Sequence, residues 1–297
     1  MEYENRTVPE GINVSEEHPL KDFFVLAFGL GTAVVALVVV LSFSAGWLVQ
    51  FVPFETEVML AEKFSFSEFI EPEMQQEKQQ GNQQSKQQKA QQREEEEKLQ
   101  KIAAYLQNLA NQLAAAQQIP EEMRIIVHYI NSDTVNAFAT LGGNVFMYRG
   151  LIEKLPNENS LAMVLAHEIA HIKHRDPMVA AGRGLTVALA LASLTGFGDS
   201  QVAQQLLNNV GLITTLSFNR KQEEQADAEA LETLLKYYGH ANGAEVLFEV
   251  LENEQASSTP PLFLSTHPLN ENRINTIKYY QQQKTTESEL TALPELF

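Results

Sequence analysis

The stretch Val164–His171 carries two histidines and a glutamate in the order H-E-x-x-H, within a run of residues that predicts a helix. Residues four apart lie on one face of a helix, so the rings of His167 and His171 point the same way and can bind one metal ion. Glu168 lies roughly 100° around the helix axis from His167. Its carboxylate is therefore expected beside the ion, where a general base for a metal-activated water belongs. The pattern predicts zinc-dependent hydrolysis, and the alternative is a solvated helix face.

A catalytic zinc ion usually has three protein ligands and one open position for water, so a third ligand is required. The chain contains no cysteine, which leaves histidine, glutamate or aspartate. His174 lies on the same face as His167, but a straight helix cannot bring a third residue of one face back to the same ion. No glycine breaks the helix between His171 and His174. We therefore expect His174 near the pocket and not on the metal.

A second segment that reads as helix, Arg220–Leu231, offers a better third ligand. Its Glu223 and Asp227 stand at positions i and i+4 and share a face. One carboxylate can bind the metal while the other accepts the N–H of a ligating histidine. On this segment alone an acidic face in solvent is the simpler interpretation. The position roughly 50 residues after the H-E-x-x-H motif favours ligation instead, because zinc peptidases with a glutamate ligand share this arrangement.

Further short segments accompany these two helices along the second half of the chain. In order, the set is Asn136-Ala137-Phe138-Ala139, Gly142-Gly143-Asn144-Val145, His167-Glu168-Ile169-Ala170-His171, Glu223-Glu224-Gln225-Ala226-Asp227, and Ser265-Thr266-His267-Pro268 with Arg273-Ile274. Together they resemble peptidase family M48, a family of zinc metallopeptidases. Several motifs in the same order over roughly half the chain are far more specific than one.

The resemblance implies roles for individual residues. It makes Glu223 the third zinc ligand and Asp227 the carboxylate behind a ligating histidine. His267 would approach the zinc from the far side, to donate a hydrogen bond to the oxyanion or to occupy the open position when no substrate is present. The alternative for His267 is a structural histidine with satisfied hydrogen bonds. Arg273 could support the same charge or pair with an acid such as Asp227, and we favour the structural role.

Three short strands are predicted before the zinc helix, at Ile125–Ile130, Val135–Ala139 and Val145–Tyr148, with a turn at Gly142-Gly143. The edge of such a sheet can pair with an extended peptide and hold the scissile bond over the ion. Asn136 and Phe138 could instead only cap and pack the sheet. For Asn136–Ala139, and above all for the backbone of its last three residues, the resemblance favours substrate binding.

The chain departs from the multi-spanning members of that family between Met178 and Leu216. Those members carry two membrane helices at this place. Here the apolar run Gly184–Gly198, broken upstream by Gly182 and Arg183, has 15 residues, fewer than the roughly 20 needed to cross a bilayer. We expect a helix that is buried or touches the membrane. A prenylated substrate, which would need a chamber enclosed by several spans, is correspondingly disfavoured.

The N-terminal part contains an uncharged segment, Phe23–Val49, that is long enough to cross a lipid bilayer. Trp47 near its end suits the membrane interface. A cleaved signal peptide is disfavoured because the apolar run is too long and the preceding tail is rich in acids. Flanking basic residues favour a cytoplasmic N-terminus by a single charge. We therefore expect a single-pass protein of a bacterial inner membrane, with its catalytic domain outside the cytoplasm.

The rest of the sequence predicts one catalytic domain with polar connections. The chain has 297 residues, 44% of them apolar, which suffices for a full core. Its net charge of −17, from 38 acids and 21 bases, argues against nucleic acid as a partner and says little about the fold. The oligomeric state does not follow from the sequence. Apolar residues at helical spacing from Leu99 to Leu113 predict a helix on the core. The predicted divisions are an acidic tail (1–22), a transmembrane helix (23–49), a Gln/Glu/Lys-rich linker (50–95), a peptidase domain (96–283) and a polar tail (284–297).

These features predict a mainly helical α+β domain of the zincin-like type, with a small β-sheet and one zinc ion per chain. We expect it to hydrolyse internal bonds of polypeptides, and the resemblance implies damaged membrane and envelope proteins as substrates. Two alternatives remain: a proteolytically quiet, zinc-stabilised binder of unfolded polypeptides, and an exopeptidase. The presence of Glu168 argues against the binder. No evident acidic anchor for a free amino terminus accompanies the strands, which argues against the exopeptidase.

Overall fold

The computed structural model describes residues 19–63, 86–195, 218–255, 261–284 and 289–297. The predicted α+β class, mainly helical with a small sheet, is confirmed. The helices are α1 (Pro19–Leu48), α2 (Phe54–Lys63), α3 (Lys86–Ala116), α4 (Arg149–Ile152), α5 (Glu158–Lys173), α6 (Asp176–Thr195), α7 (Arg220–Tyr238), α8 (Ala244–Gln255), α9 (Phe263–Thr266) and α10 (Glu271–Lys284). The strands are β1 (Ile126–Ile130), β2 (Ala137–Thr140) and β3 (Asn144–Tyr148), and short 3-10 turns lie at Val49–Phe51 and Leu141–Gly143.

The sheet has the strand order β1-β3-β2, with β1 parallel and β2 antiparallel to β3. The tight turn between β2 and β3 depends on Gly142 and Gly143, whose φ angles of 74° and 81° lie in the left-handed region that glycine adopts readily. A Cβ on Gly143 would also lie 1.9 Å from the carbonyl oxygen of Arg124. The turn therefore requires glycine, and it leaves β2 at one edge of the sheet.

Helix α5, which carries the H-E-x-x-H motif, lies at the centre of the core. All of its residues from Asn159 to Ile172 are buried. Helices α3, α7 and α8 and strand β2 pack around it. A helix that is buried on every side has no polar face, so the polar groups of His167, Glu168 and His171 must find partners inside the protein.

Helix α1 and the following turn, Pro19–Phe51, form the one helix of the described residues that is long and apolar enough to cross a membrane, with a mean hydropathy of 2.8 over an 18-residue window. Its large apolar side chains are exposed, as a lipid-facing surface requires. This segment is a candidate membrane anchor. Helix α6 packs along α1, and Val49 contacts Val179 where α1 ends near the domain.

The helix predicted over the apolar run begins upstream of it, because α6 continues through Gly182 and Arg183. An isolated glycine weakens a helix by only about 1 kcal/mol relative to alanine, which packing can offset. Residues 196–198 of that run lie outside the described residues.

The packing corrects two parts of the predicted domain division. Helix α2 falls in the predicted linker 50–95, yet it contacts the Leu141–Gly143 turn and buries Phe54, Glu57 and Ala61. The packing of Glu57 is not evident from the sequence, because its partner Arg175 lies 118 positions further along the chain. In the predicted polar tail 284–297, the apolar residues Leu293, Leu296 and Phe297 pack against the core. The other boundaries remain predictions, and 1–18, 64–85 and 285–288 lie outside the described residues.

Candidate metal centre

The two histidines of the motif face each other from successive turns of α5. The helix is started by Asn157, whose side-chain oxygen accepts a hydrogen bond from the N–H of Ser160 at 2.9 Å. The Nε2 atoms of His167 and His171 lie 3.1 Å apart. Both side chains are buried. Their arrangement follows from the i,i+4 spacing that the sequence showed.

Helix α7 brings its acids to the same point. A capping box of Asn219 and Gln222 starts this helix. The carboxylate oxygens of Glu223 lie 3.5 Å from Nε2 of His167 and 3.5 Å from Nε2 of His171. Asp227, one turn further, contacts the opposite nitrogen of His167, with 3.0 Å between Oδ1 and Nδ1. The two carboxylates therefore occupy different positions, one facing both rings and one behind a ring.

His267 completes the group from the end of α9. Its Nδ1 lies 3.2 Å from Nε2 of His167 and 3.1 Å from Oε1 of Glu223. Its Nε2 points towards Glu168, 3.4 Å from Oε1. The ring stacks on Phe263, with 4.5 Å between centroids. The ring of His267 thus lies among the candidate metal ligands, which is the position expected for it when no substrate is present.

A divalent cation fits this group by its donor chemistry. His167, His171, Glu223 and His267 each offer one atom, and the four atoms lie within 4.8 Å of one another. Three imidazole nitrogens and a carboxylate oxygen are ligands that zinc binds in tetrahedral geometry. Within the described residues, neither buried carboxylate oxygen of Glu168 nor the buried Nε2 of His267 has a hydrogen-bond partner. Buried atoms of this kind normally have partners, and a bound water or substrate would supply them.

Carboxylates hold the outer nitrogens of both motif histidines. Asp176 Oδ2 lies 2.8 Å from Nδ1 of His171, and Gln222 donates to the other oxygen of Asp176 at 2.5 Å. Such contacts fix the ring orientation and keep the inner nitrogen free to bind metal. The sequence analysis missed Asp176 and Gln222. The signal that could have found Asp176 is an acid directly after the helix that bears the histidines.

Arg273 holds the carboxylates of Glu223 and Asp227 in place. Its Nε and Nη2 donate to the two oxygens of Asp227 at 2.6 and 2.8 Å, and its Nη1 lies 2.7 Å from Oε2 of Glu223. Burial would raise the pKa of Asp227, but hydrogen bonds and charge from Arg273 outweigh it and hold that pKa below its ordinary value. Burial is likewise outweighed at Glu223, whose pKa lies well below its ordinary value beside His267 and the motif histidines. Both acids are therefore ionised, as ligation and hydrogen-bond acceptance require.

The remaining predicted residues lie at the edge of the sheet. Asn136–Ala139 are all buried, and α6 and α9 pack along β2. Asn136 accepts the N–H of Tyr148 at 3.2 Å, so by antiparallel alternation the backbone groups of Ala137 and Ala139 turn away from β3. His174 lies outside the donor group, 3.9 Å from Glu229, as expected. The role of Asn136–Ala139 in substrate binding remains a prediction.

An H-E-x-x-H helix, a carboxylate from a second helix and a small adjacent sheet together define the zincin-like class of metallopeptidase. Within this class, residues 100–281 match peptidase family M48. The match covers more than half of the chain, and the chain belongs to this family.

Several relatives of known name share this region. The mitochondrial metalloendopeptidase OMA1 of Schizosaccharomyces pombe is 34% identical over 155 residues, which are 51% of this chain and 45% of that protein. The beta-barrel assembly-enhancing protease of Escherichia coli is 32% identical over 158 residues, 49% of this chain and 32% of that protein. The protease HtpX homolog of Aquifex aeolicus is 35% identical over 127 residues, 41% of this chain and 37% of that protein. The chain thus spans less than half the length of each of these relatives.

Proposed function

We propose that this protein is a membrane-anchored zinc endopeptidase. The observation that supports it most directly is the convergence of His167, His171, Glu223 and His267 within 4.8 Å, with the buried carboxylate of Glu168 3.4 Å from Nε2 of His267. Membership of peptidase family M48 and relatives named as metalloendopeptidase and protease support the same reaction. We propose His167, His171 and Glu223 as the ligands of one zinc ion.

When bound, zinc would act as a Lewis acid and lower the pKa of a water molecule towards about 7. Glu168 takes a proton from the attacking water and returns it to the departing amine, so one carboxylate acts as base and then as acid. No acyl-enzyme is needed, because water is the nucleophile. Asp227 and Asp176 hold the outer nitrogens of the two motif histidines, and Arg273 keeps Asp227 ionised.

His267 acts in the resting form of the site, in which no substrate is bound. Its Nδ1 is close to both His167 and Glu223, which supports the fourth ligand position over a distant role at the oxyanion. As a fourth ligand His267 would fill the position that a water or substrate needs, so His267 would have to move before substrate could bind there. The burial of Asn136–Ala139 is consistent with the same resting form. In the active form the backbone groups of Ala137 and Ala139 would pair with an extended substrate.

The proposed biological role is the quality control of membrane or envelope proteins. Helix α1 would fix the enzyme to the bilayer, and the names of the relatives include a mitochondrial endopeptidase and a protease that enhances beta-barrel assembly. The charge distribution around α1 favours a catalytic domain outside the cytoplasm, and the inner membrane of a bacterium is the proposed location. Polypeptide substrates and the lipid bilayer are the proposed partners.

Digestion of casein by the wild type and by Glu168→Gln, with bound zinc measured in both, tests this function. We expect the variant to keep its zinc and lose activity, because the amide cannot accept the proton of the water. Equal activity of the two proteins would refute the proposed peptidase function. Cleavage only at chain ends would indicate an exopeptidase. Zinc binding without cleavage, together with suppressed aggregation of unfolded casein, would indicate the binder.

A further inference from the structure

The segment between the membrane anchor and the catalytic domain contributes the buried partner of a largely buried ion pair. Glu57 in α2 is fully buried, and its Oε2 accepts a hydrogen bond from Nε of Arg175 at 2.6 Å. Its Oε1 accepts from the N–H of Gly142 at 3.1 Å. The two charged residues are 118 positions apart in the chain. This contact therefore joins α2 both to the turn of the sheet and to the chain that follows α5.

Arg175 is held by three groups of the segment Val52–Glu57. Besides the bond to Glu57, its Nη1 donates to the carbonyl oxygen of Val52 at 3.1 Å. Its guanidinium lies over the ring of Phe54, 5.4 Å from the centroid. The backbone of Arg175 has a φ of 60°, which residues other than glycine adopt only where the surroundings hold them. Contacts from this segment thus surround a strained junction between α5 and α6.

The next residue connects this junction to the metal centre. Asp176 follows Arg175 directly, and its carboxylate contacts Nδ1 of His171 at 2.8 Å. The backbone conformation at Arg175 sets the position and direction of the Asp176 backbone. It therefore also sets the position of the Asp176 carboxylate relative to His171. Helix α1 ends at Leu48, four residues before Val52. The chain of contacts therefore runs from the anchor through Glu57, Arg175 and Asp176 to His171.

We propose that the segment Val52–Glu57 is a positioning element of the metal centre and that Glu57 is its positioning residue. This inference rests on the proposed function, because it takes His171 as a metal ligand. A largely buried ion pair is a poor source of stability, since an apolar pair of similar volume is often as stable. A directional bond pattern that fixes Arg175, by contrast, sets the geometry of the residue that follows. The anchor thereby influences how firmly His171 is presented to the metal.

The experiment compares four variants of the full-length chain in detergent micelles. Glu57→Gln and Arg175→Lys weaken the ion pair, Asp176→Asn alters the direct partner of His171, and Glu55→Gln is the matched control on the exposed face of α2. Zinc affinity is measured by competition with a chromophoric chelator. The visible absorption of bound Co²⁺ reports the coordination geometry independently of activity. Melting temperatures are recorded for the metal-free and zinc-loaded forms.

We expect Asp176→Asn to weaken zinc binding about 10–100-fold and Glu57→Gln, one contact further away, about 3–10-fold. Arg175→Lys should weaken zinc binding and change the Co²⁺ spectrum in the same way as Glu57→Gln. If Glu57→Gln does not fold, the result for Arg175→Lys tests the inference in its place. Glu55→Gln should match the wild type. Unchanged affinity and spectrum in the ion-pair variants, even with a lower melting temperature, would overturn the inference and leave the proposed function intact. A wild type that binds no zinc would refute the proposed function itself.

Discussion

The carboxylate of Asp227 lies behind the ring of His167, with 3.0 Å between Oδ1 and Nδ1. This contact holds the proton of the imidazole on Nδ1, so the lone pair of Nε2 faces Glu223 and His171. Arg273 fixes the same carboxylate through two further bonds. One acid of α7 thus determines which nitrogen of a residue on α5 is available to bind metal.

Replacement of Asp227 by asparagine should therefore weaken zinc binding. The neutral amide removes the negative partner of both His167 and Arg273, and we expect a loss of about 10–100-fold in zinc affinity. Chelator competition measures this. Glu224→Gln, on the exposed face of the same helix, is the control and should retain wild-type affinity. An Asp227→Asn protein with wild-type affinity would contradict the role proposed for this carboxylate.

His267→Ala separates the two roles open to this histidine. If His267 is the fourth ligand of the resting form, its removal leaves three ligands and an open position. We then expect bound zinc that exchanges faster and a higher initial rate of peptide cleavage. A lower rate at unchanged zinc content would instead indicate a hydrogen bond to the oxyanion. His174→Ala, outside the donor group, should change neither quantity.

The contact between the end of α1 and α6 can be tested by cross-linking, because the chain has no cysteine of its own. Val49 and Val179 pack together in one buried cluster. A protein with cysteine at both positions should be linked by a short bismaleimide in membranes. Cysteines at Val49 and at the exposed Tyr279 of α10 form the control pair, which should remain unlinked. Failure of the first pair to react would place α6 away from the anchor.

The packing of the C-terminal residues predicts a measurable contribution to stability. Phe297 contacts the ring of Tyr105 at 5.7 Å between centroids and packs on the core while half-buried. Truncation to alanine should lower the free energy of unfolding by about 1–2 kcal/mol, less than the 3–5 kcal/mol of a fully buried phenylalanine. Denaturant unfolding of Phe297→Ala measures this. Exposed Glu295→Ala should leave the midpoint unchanged, and an equal midpoint for Phe297→Ala would show that the terminus is not packed.

Local pattern was enough for the parts of this protein that depend on neighbours in sequence. The i,i+4 spacing of His167 and His171 predicts one face of one helix, and the apolar spacing from Leu99 to Leu113 predicts the buried side of α3. Both follow from the 3.6-residue period of the helix. The long uncharged run predicted α1 in the same way, because length and hydropathy are properties of a single segment.

The role of Glu223 could be predicted only in part from local pattern. Its spacing to Asp227 showed only that two acids share a helix face, and the resemblance to a family was needed to choose the one that faces the metal. The three short strand segments about the Gly142-Gly143 turn likewise predicted a sheet, while the order β1-β3-β2 and the burial of Asn136–Ala139 come from packing against distant segments.

The sequence by itself determined the helix that bears the two histidines, the acids of α7 and the apolar segment of the anchor. Only the tertiary structure decided that Asp176 holds His171, that Arg273 joins Asp227 to Glu223, and that Glu57 meets Arg175. The physical reason is that a charged residue looks solvated in any local pattern. Its burial becomes favourable only when a partner of opposite charge, far along the chain, is brought within hydrogen-bond distance by the packing of other elements.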